Sequence, residues 1–334
     1  MKSIQDLRRL YQIWDSFRKG KNRLSYFPSR IWIEITNHCN LKCPLCPNQT
    51  LPQEGKGFMS PEFFKKIIDQ MFNRVHELNL FHRGEPLLHP SVSELVGYAQ
   101  SRGIICRIHT NATLLSESLS RRLLDSGLDV LSFSFDGYDA STYEKNRYPA
   151  KFDQTLEKIE QFLTLKRKGR KTKPYTVLQV MGAEAADPES KLKNFVSHLK
   201  SQGLNRVVFR QPHNWGGAIP MTCETSRSKG RGLSCCTFPW YALVVYWDGR
   251  VGPCPQDFFG RIVLGDLMKS RLEEIWNGPV MQGFRDQVTA RGYKDLGPCA
   301  ECDRPRRKTF SGVPREYLKS FVRENLFRYH RFLG

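Results

Sequence analysis

The chain has 334 residues, 52 of them Lys or Arg against 33 Asp or Glu, giving a formal net charge of +19 and a pI of about 9.6. That length allows one large or two modest domains, and 40% hydrophobic with 25% charged residues is an ordinary globular balance. No apolar run approaches the ~20 residues of a membrane span. Residues 1–9 lack the apolar core of a secretory signal, so a cytoplasmic location is expected. Ten cysteines without an export signal point to thiol ligands in a reducing compartment and away from a disulfide framework. The positive charge could attract nucleic acid, an anionic membrane face, an acidic peptide or phosphorylated sugars, or simply be a solvated surface. It lies in Lys166–Lys173, Arg227–Arg231, Arg304–Lys308 and at both ends. No nucleic-acid-binding signature accompanies it, so sequence-specific nucleic-acid binding is not expected.

Residues 1–20 carry a helical apolar stripe, Leu7, Leu10, Tyr11, Trp14 and Phe17, among arginines and lysines. A helix docked on the body of the protein is expected. Its basic-aromatic mixture keeps peripheral membrane contact open. From Ile31 strands and helices alternate. Ile31–Thr36 reads as a strand, and Ser60-Pro61 opens a helix with an N-cap serine and a first-turn proline. Glu77–Phe81 is a strand, Ser91–Arg102 a helix closed by Gly103, Ile104–Thr110 a strand, and Ser116–Ser126 a helix closed by Gly127. Then follow strand Val130–Phe135, a helical segment through Tyr143, helix Phe152–Lys168, strand Tyr175–Met181, helix Glu189–Gln202 and strand Arg206–Arg210. Six strands with intervening helices predict a parallel sheet, wound into a barrel or an open wedge. Ligands bind such folds at the carboxyl ends of the strands.

At that end of the first strand stand Cys39, Cys43 and Cys46, spaced C-x3-C-x2-C in a loop stiffened by Pro44 and Pro47. Three thiolates can hold three irons of a [4Fe–4S] cube and leave the fourth open to a ligand. A zinc knuckle is the alternative. Gly84-Glu85-Pro86 follows the second strand: the glycine admits close approach to the backbone, and the carboxylate can accept from an ammonium group. In Ser132-Phe133-Ser134-Phe135-Asp136 the alternation sets Ser132, Ser134 and Asp136 on one face, and Arg147 downstream can fork onto a carboxylate. His109 ends the strand before and is expected to be a packed, hydrogen-bonded histidine.

After a Gly-, Ser- and Arg-rich linker over 211–234, the rhythm changes. Cys236 opens Cys-Thr-Phe-Pro-Trp. A hairpin over Ala242–Trp247 turns at Asp248-Gly249, Cys254 follows, Leu272–Trp276 is a helix, and Cys299 and Cys302 form a C-x2-C pair. Four converging thiolates close a metal site, with a zinc ribbon as the alternative to a cluster. Cys235 is set aside because only Cys236 begins the Cys-x-x-Pro-Trp pattern. Cys106 lies in a strand and reads as packed core. Cys223 lies in the linker. Asp257 is a candidate proton acceptor, with a solvated aspartate as the alternative. Val313–Gly334 reads as a basic amphipathic helix.

The first cysteine motif after a first strand resembles the radical S-adenosylmethionine (SAM) superfamily, and the second motif resembles its SPASM/twitch subgroup in the short form, the layout of 2-deoxy-scyllo-inosamine dehydrogenases. The resemblance covers about Ile31 to Asp303. It implies an α/β fold, a partial (β/α)6 TIM-like barrel with a small C-terminal iron–sulfur (twitch/SPASM-like) domain. The expected parts are 1–30 (basic helix and linker), 31–210 (barrel), 211–234 (linker or insertion), 235–305 (auxiliary domain) and 306–334 (basic helix). It implies a SAM-binding [4Fe–4S] cluster on Cys39, Cys43 and Cys46 and an auxiliary [4Fe–4S] cluster on Cys236, Cys254, Cys299 and Cys302. SAM would be bound by Gly84, Glu85 and Pro86, with Ser134 and Arg147 at its ribose and carboxylate. Leu45 stands where many members carry an aromatic residue, which leaves one adenine-packing contact in doubt. The expected chemistry is cleavage of SAM to a 5′-deoxyadenosyl radical, drawing electrons from a reductant such as flavodoxin or ferredoxin. The substrate would be a small molecule, oxidised at an alcohol carbon, or a peptide. Only about 30 residues precede the first strand, which leaves little room for a leader-binding module.

Overall fold

The computed structural model describes residues 4–181, 189–220 and 233–315, with Leu318 and Val322. The chain divides into two compact units, Ile33–Pro212 and the combination of Met1–Trp32 with His213–Gly334. Helix α1 (Ile4–Arg18) and most of strand β1 (Arg30–Ile33) fall in the second.

In the Ile33–Pro212 unit the elements alternate: α2 (Pro61–Met71), β2 (Glu77–Asn79), α3 (Val92–Ser101), β3 (Ile105–Thr110), α4 (Glu117–Asp125), β4 (Val130–Ser134), α5 (Ala140–Asn146), α6 (Phe152–Lys168), β5 (Tyr175–Met181), α7 (Glu189–Ser201) and β6 (Arg206–Arg210). Strands β2 to β6 pair in chain order, all parallel. Counting β1 there are six strands, of which the first five are each followed by at least one helix. Local chemistry sets the boundaries. The Ser60 and Ser116 hydroxyls accept from the Phe63 and Leu119 amides at 3.1 and 3.2 Å, and the Asp139 carboxylate accepts from the Thr142 amide at 2.8 Å. Register puts Leu131 beside Ile108 and Phe133 beside Leu178, on the side where Phe133 meets Phe162 of α6. Cys106 shares that side beside Leu78 and is fully buried. The opposite side is polar: Asn79 beside Arg107, His109 beside Ser132, and Ser134 beside Gln179.

Strand β1 stops three residues short of the expected Thr36. The backbone beyond it is claimed by the loop before α2, where the Met59 amide donates to the Ile35 carbonyl at 2.8 Å and Thr36 bridges Phe58.

In the other unit, β1, β7 (Ala242–Val245), β8 (Arg250–Gly252) and β9 (Gly265–Asp266) lie in that order. The hairpin turns at Asp248-Gly249, with Gly249 at φ 94°, a conformation that favours glycine. Three helices follow, α8 (Leu272–Trp276), α9 (Pro279–Thr289) and α10 (Pro298–Glu301), then the antiparallel pair β10 (Thr309–Phe310) and β11 (Val313–Pro314). The last pair replaces the start of the expected C-terminal helix. Its turn at Ser311-Gly312 has positive φ at both residues, and a side chain on Gly312 would lie 2.4 Å from Thr237 and 2.7 Å from Phe17. Of the expected helix, only Leu318 and Val322 fall among the described residues beyond Arg315, and both are helical. Cys223 lies outside the described residues.

The segment before β1 is bound into this same unit. Phe17 meets Trp240 edge-on at 5.4 Å. The Trp240 and Trp276 indole N–H groups donate to the Lys21 and Tyr26 carbonyls at 2.9 and 2.7 Å. Arg285, fully buried, stacks on Trp276 and donates to the Asn22 and Pro239 carbonyls. Helix α1 is thus docked, although Leu7, Tyr11 and Trp14 remain exposed. No helix among the described residues is long and apolar enough to cross a membrane.

Candidate metal centres

The first centre follows β1. Cys39, Cys43 and Cys46 are free and half-buried. Burial pushes the Cys39 and Cys46 thiols up to about 12 and about 11, and each also feels other cysteines of the trio. Cys43 is pushed up by burial too, but the Arg147 guanidinium, with Nη1 at 3.8 Å from its sulfur, works against the shift. Thiols so desolvated stay protonated unless a cation takes the charge, and three of them together suit a soft metal centre.

Polar groups brace the loop. The Asn48 side-chain amide donates to the Asn37 and Arg83 carbonyls at 2.8 and 2.7 Å, and the Asn37 amide reaches the Gly55 carbonyl at 2.9 Å. Asn111 donates to Asn40 at 2.9 Å, and Asn40 to the Thr113 hydroxyl at 2.8 Å. Arg83 forks onto Glu34 at 2.5 and 2.6 Å, with both side chains buried. Sequence reading missed this pair because the partners lie 49 residues apart and belong to no periodic pattern.

Gly84-Glu85-Pro86 packs directly on this loop. A Cβ at Gly84 would lie 2.5 Å from the Thr36 and His38 carbonyls, so the chain's own backbone fills the space expected for a ligand. The Glu85 amide donates to the His38 carbonyl at 2.8 Å. The Glu85 carboxylate accepts from the Leu87 amide, the Thr110 hydroxyl and the Asn111 amide at 3.0, 2.7 and 2.7 Å. Three of a carboxylate's roughly four acceptor positions are therefore taken. Burial still pushes its pKa up to about 7, against those three hydrogen bonds. Pro86 starts a short 3-10 turn and is buried.

Ser134 is hydrogen-bonded to the His109 ring, whose pKa burial pushes down to about 3. His109 is packed against Phe81. Arg147 is paired with Asp136, and its buried Nε has no hydrogen-bond partner. An unsatisfied guanidinium N–H beside the cysteine loop fits an anionic ligand such as the carboxylate of SAM.

The second centre is built differently. Cys236, Cys254, Cys299 and Cys302 line one cavity whose other walls include Phe238, Pro239, Phe284, Val288 and Tyr293. Cys235 is not among its lining residues; its thiol lies 3.7 Å from the Val288 carbonyl. Among the described residues no three His, Cys, Asp or Glu side chains converge closely enough to share a single ion. The four thiols surround one cavity. Burial pushes all four upward, and for Cys254, Cys299 and Cys302 neighbouring cysteines add to the shift.

Asp257 is buried, not solvated. Its carboxylate accepts from the Arg261 and Ile262 amides at 3.1 and 2.8 Å, and its carbonyl from the Tyr246 hydroxyl at 3.0 Å. Its visible task is to fold the turn after Cys254. His213 and Asn214, from the expected linker, belong to this unit: Asn214 donates to the Glu301 carbonyl at 2.7 Å and accepts from the Asp303 amide at 3.2 Å.

Comparisons with known proteins divide the chain in the same way. A radical SAM superfamily model matches residues 33–180, and a SPASM iron–sulfur cluster-binding domain model matches residues 235–303. The chain is 25% identical over 298 residues to the tungsten-containing aldehyde ferredoxin oxidoreductase cofactor-modifying protein of Pyrococcus furiosus, covering 76% of this chain and 82% of that protein. It is 25% identical over 285 residues to the S-adenosyl-L-methionine-dependent 2-deoxy-scyllo-inosamine dehydrogenase of Niallia circulans, covering 82% and 92%. Among solved structures, BtrN in complex with AdoMet and 2-DOIA superposes with a TM-score of 0.55 at 20% identity over 84% of this chain and 94% of that one. Streptococcus suis SuiB bound to the precursor peptide SuiA gives 0.63 at 16% identity over 84% and 71%.

Proposed function

Because the chain belongs to the radical SAM superfamily and carries a SPASM-type iron–sulfur domain, we propose that it oxidises a small molecule at an alcohol carbon. It is an enzyme whose cofactors are SAM and [4Fe–4S] clusters. When bound, these groups supply reductive cleavage of SAM to a hydrogen-abstracting 5′-deoxyadenosyl radical at one centre and a one-electron acceptor at the other.

In this reading Cys39, Cys43 and Cys46 hold the SAM-binding cluster. Glu85 fixes the turn that presses Gly84 onto the cysteine loop and ties it to Thr110 and Asn111 at the end of β3. Arg147 meets the SAM carboxylate while Asp136 keeps it in place, and Ser134, set by His109, faces the same ligand. Cys236, Cys254, Cys299 and Cys302 hold the auxiliary cluster. Asp257 shapes the turn next to Cys254 and is the candidate proton acceptor during substrate oxidation.

The observation that carries the oxidation reading is the closed second site. Four thiols around one apolar-walled cavity leave no place for substrate to bind that metal centre, and they suit an electron acceptor. Among relatives that align along most of the chain, one is named a cofactor-modifying protein, one an AdoMet-dependent heme synthase and one a 2-deoxy-scyllo-inosamine dehydrogenase, which favours a small substrate. Peptide maturation is the second reading, favoured by the partial match to a PqqA peptide cyclase. A reductant such as flavodoxin or ferredoxin would supply the electron, and a cytoplasmic location would supply both.

The test is anaerobic reconstitution followed by dithionite, SAM and candidate alcohols deuterated at the carbinol carbon. Deuterium should appear in 5′-deoxyadenosine, together with the matching ketone or aldehyde. Cleavage of SAM with deuterium transfer only from a peptide would replace this reading with the second one. No 5′-deoxyadenosine from fully loaded protein would remove both.

A further inference from the structure

Residues 304–307 look in sequence like a plain basic patch, but the structure gives each arginine a separate task. Arg307 is paired with Asp303, and both side chains are nearly buried. Arg306 donates to the carbonyls of Cys302 and, at 2.6 Å, Ala300, holding the backbone of the C-x2-C turn. Of the three, Arg304 is the one at the cavity. It lines the cavity shared by Cys236, Cys254, Cys299 and Cys302, with its guanidinium 4.2 Å from the centroid of the Phe238 ring. Phe238 is in turn stacked on Tyr241 at 5.4 Å and meets Trp32 edge-on at 6.1 Å, so the platform under the cation is packed.

The walls around Arg304 are otherwise mostly apolar: Phe238, Pro239, Phe284, Val288 and Pro305, with Tyr293 and Gln256 the polar side chains beside the cysteines. The Tyr293 hydroxyl is already engaged with the Ser234 carbonyl and the Cys236 amide at 2.9 and 2.8 Å. Arg304 is thus the cationic side chain among the cavity's lining residues. Among mostly apolar walls a fixed charge acts more strongly on a neighbouring centre than it would in water. Arginine cannot shed its proton in a protein, so the charge does not depend on pH. The potential of an iron–sulfur centre follows its net charge, its hydrogen bonds and its exposure.

We propose that Arg304 is a positioning residue for electron acceptance, its guanidinium raising the reduction potential of the auxiliary centre. The proposal rests on the reading that the four cysteines hold a cluster, and it adds the residue that makes that cluster a ready acceptor. By this account the cation favours the reduced, more negative state of the centre, and Phe238 fixes the distance over which it acts.

The test uses the full chain carrying Cys39→Ala, Cys43→Ala and Cys46→Ala, so that only the second centre remains, reconstituted and titrated by potential-controlled EPR spectroscopy. Arg304→Gln should keep its iron and become about tenfold harder to reduce, a shift of about 59 mV to lower potential for one electron. Arg304→His should match the glutamine variant at high pH and return toward the parent as the imidazole gains its proton, beyond any pH drift of the parent. An unchanged potential in iron-loaded Arg304→Gln overturns the proposal. So does an Arg304→His variant that tracks the parent at every pH, and this second variant decides the matter if the first loses its iron. A parent protein that binds no iron through the remaining cysteines overturns the cluster reading itself and the proposal with it.

Discussion

The two groups of cysteines sit in different surroundings. Around Cys39, Cys43 and Cys46 the surroundings are polar: Asn37, Asn40, Asn48, Glu85, Asn111 and Arg147 are linked by hydrogen bonds, and the buried Glu34–Arg83 pair stands behind them. Around Cys236, Cys254, Cys299 and Cys302 the walls are mostly aromatic, aliphatic and proline side chains, with the Gln256 amide and one guanidinium. A centre that must admit a zwitterionic ligand needs fixed donors and acceptors, whereas one that only exchanges electrons gains from exclusion of water. The contrast teaches that the number of thiols is less informative than what surrounds them.

Removing one ligand from each centre should expose this difference most strongly. Cys43→Ala should bring SAM cleavage to background, while Cys299→Ala should leave some cleavage uncoupled from substrate oxidation, as read by 5′-deoxyadenosine against oxidised product. Equal loss of both activities in the two variants would erase the proposed division of labour. Next comes the pair of adjacent thiols. Cys236→Ala should remove about four of about eight irons, while Cys235→Ser should remove none; the reverse pattern would reassign the ligand.

Glu34→Gln should be costly to the polar side alone. It removes the charged partner of the buried Arg83 guanidinium, a change that typically costs about 3–5 kcal/mol. Denaturant unfolding should show this loss, with the iron of the second centre retained by the folded protein. A change below about 1 kcal/mol, the range of exposed pairs, would mean that Arg83 finds water or another acceptor.

The smallest effect lies away from both centres. Burial lowers the Lys166 pKa to about 8, below the ordinary value of about 10.4 in the unfolded chain. The unfolded state therefore binds the extra proton between those values, and stability falls as pH drops from about 10 to about 8 and then levels off. Lys166→Met should raise the melting temperature at pH 7, with the gain shrinking toward pH 10. No gain at pH 7 would show that the hydrogen bond from Lys166 to Asn205, 2.9 Å long, outweighs the burial of its charge.

Much of this architecture is legible in the amino-acid order because it is local. Ser60, Ser116, Gly103 and Gly127 mark helix ends, and Phe152–Lys168 and Tyr175–Met181 have the boundaries expected from their patterns. Cysteine spacing is equally local. Helix α9 begins at Gly278-Pro279, a readable start signal, yet the only helix expected between Cys254 and Cys299 is Leu272–Trp276. The Glu34–Arg83 pair and the place of Arg304 at the cavity are decided by residues far apart in the chain. Gly84 shows a subtler limit: its need for space was readable, but whether backbone or ligand would take that space was not.

The residues before β1 pack with residues 213 onward, as in the hydrogen bonds between Leu24 and Asn277 across 253 positions. In chain order, the barrel unit is therefore an insertion within the auxiliary unit. During synthesis, residues 33–212 can condense while the earlier segment still waits for partners not yet made. The second centre would then be the last part of the molecule to assemble. Limited proteolysis of a released chain ending near residue 212 should find the barrel protected and residues 4–30 cleavable. Delivery of iron to the two centres would be ordered by translation itself, with the acceptor completed after the generator.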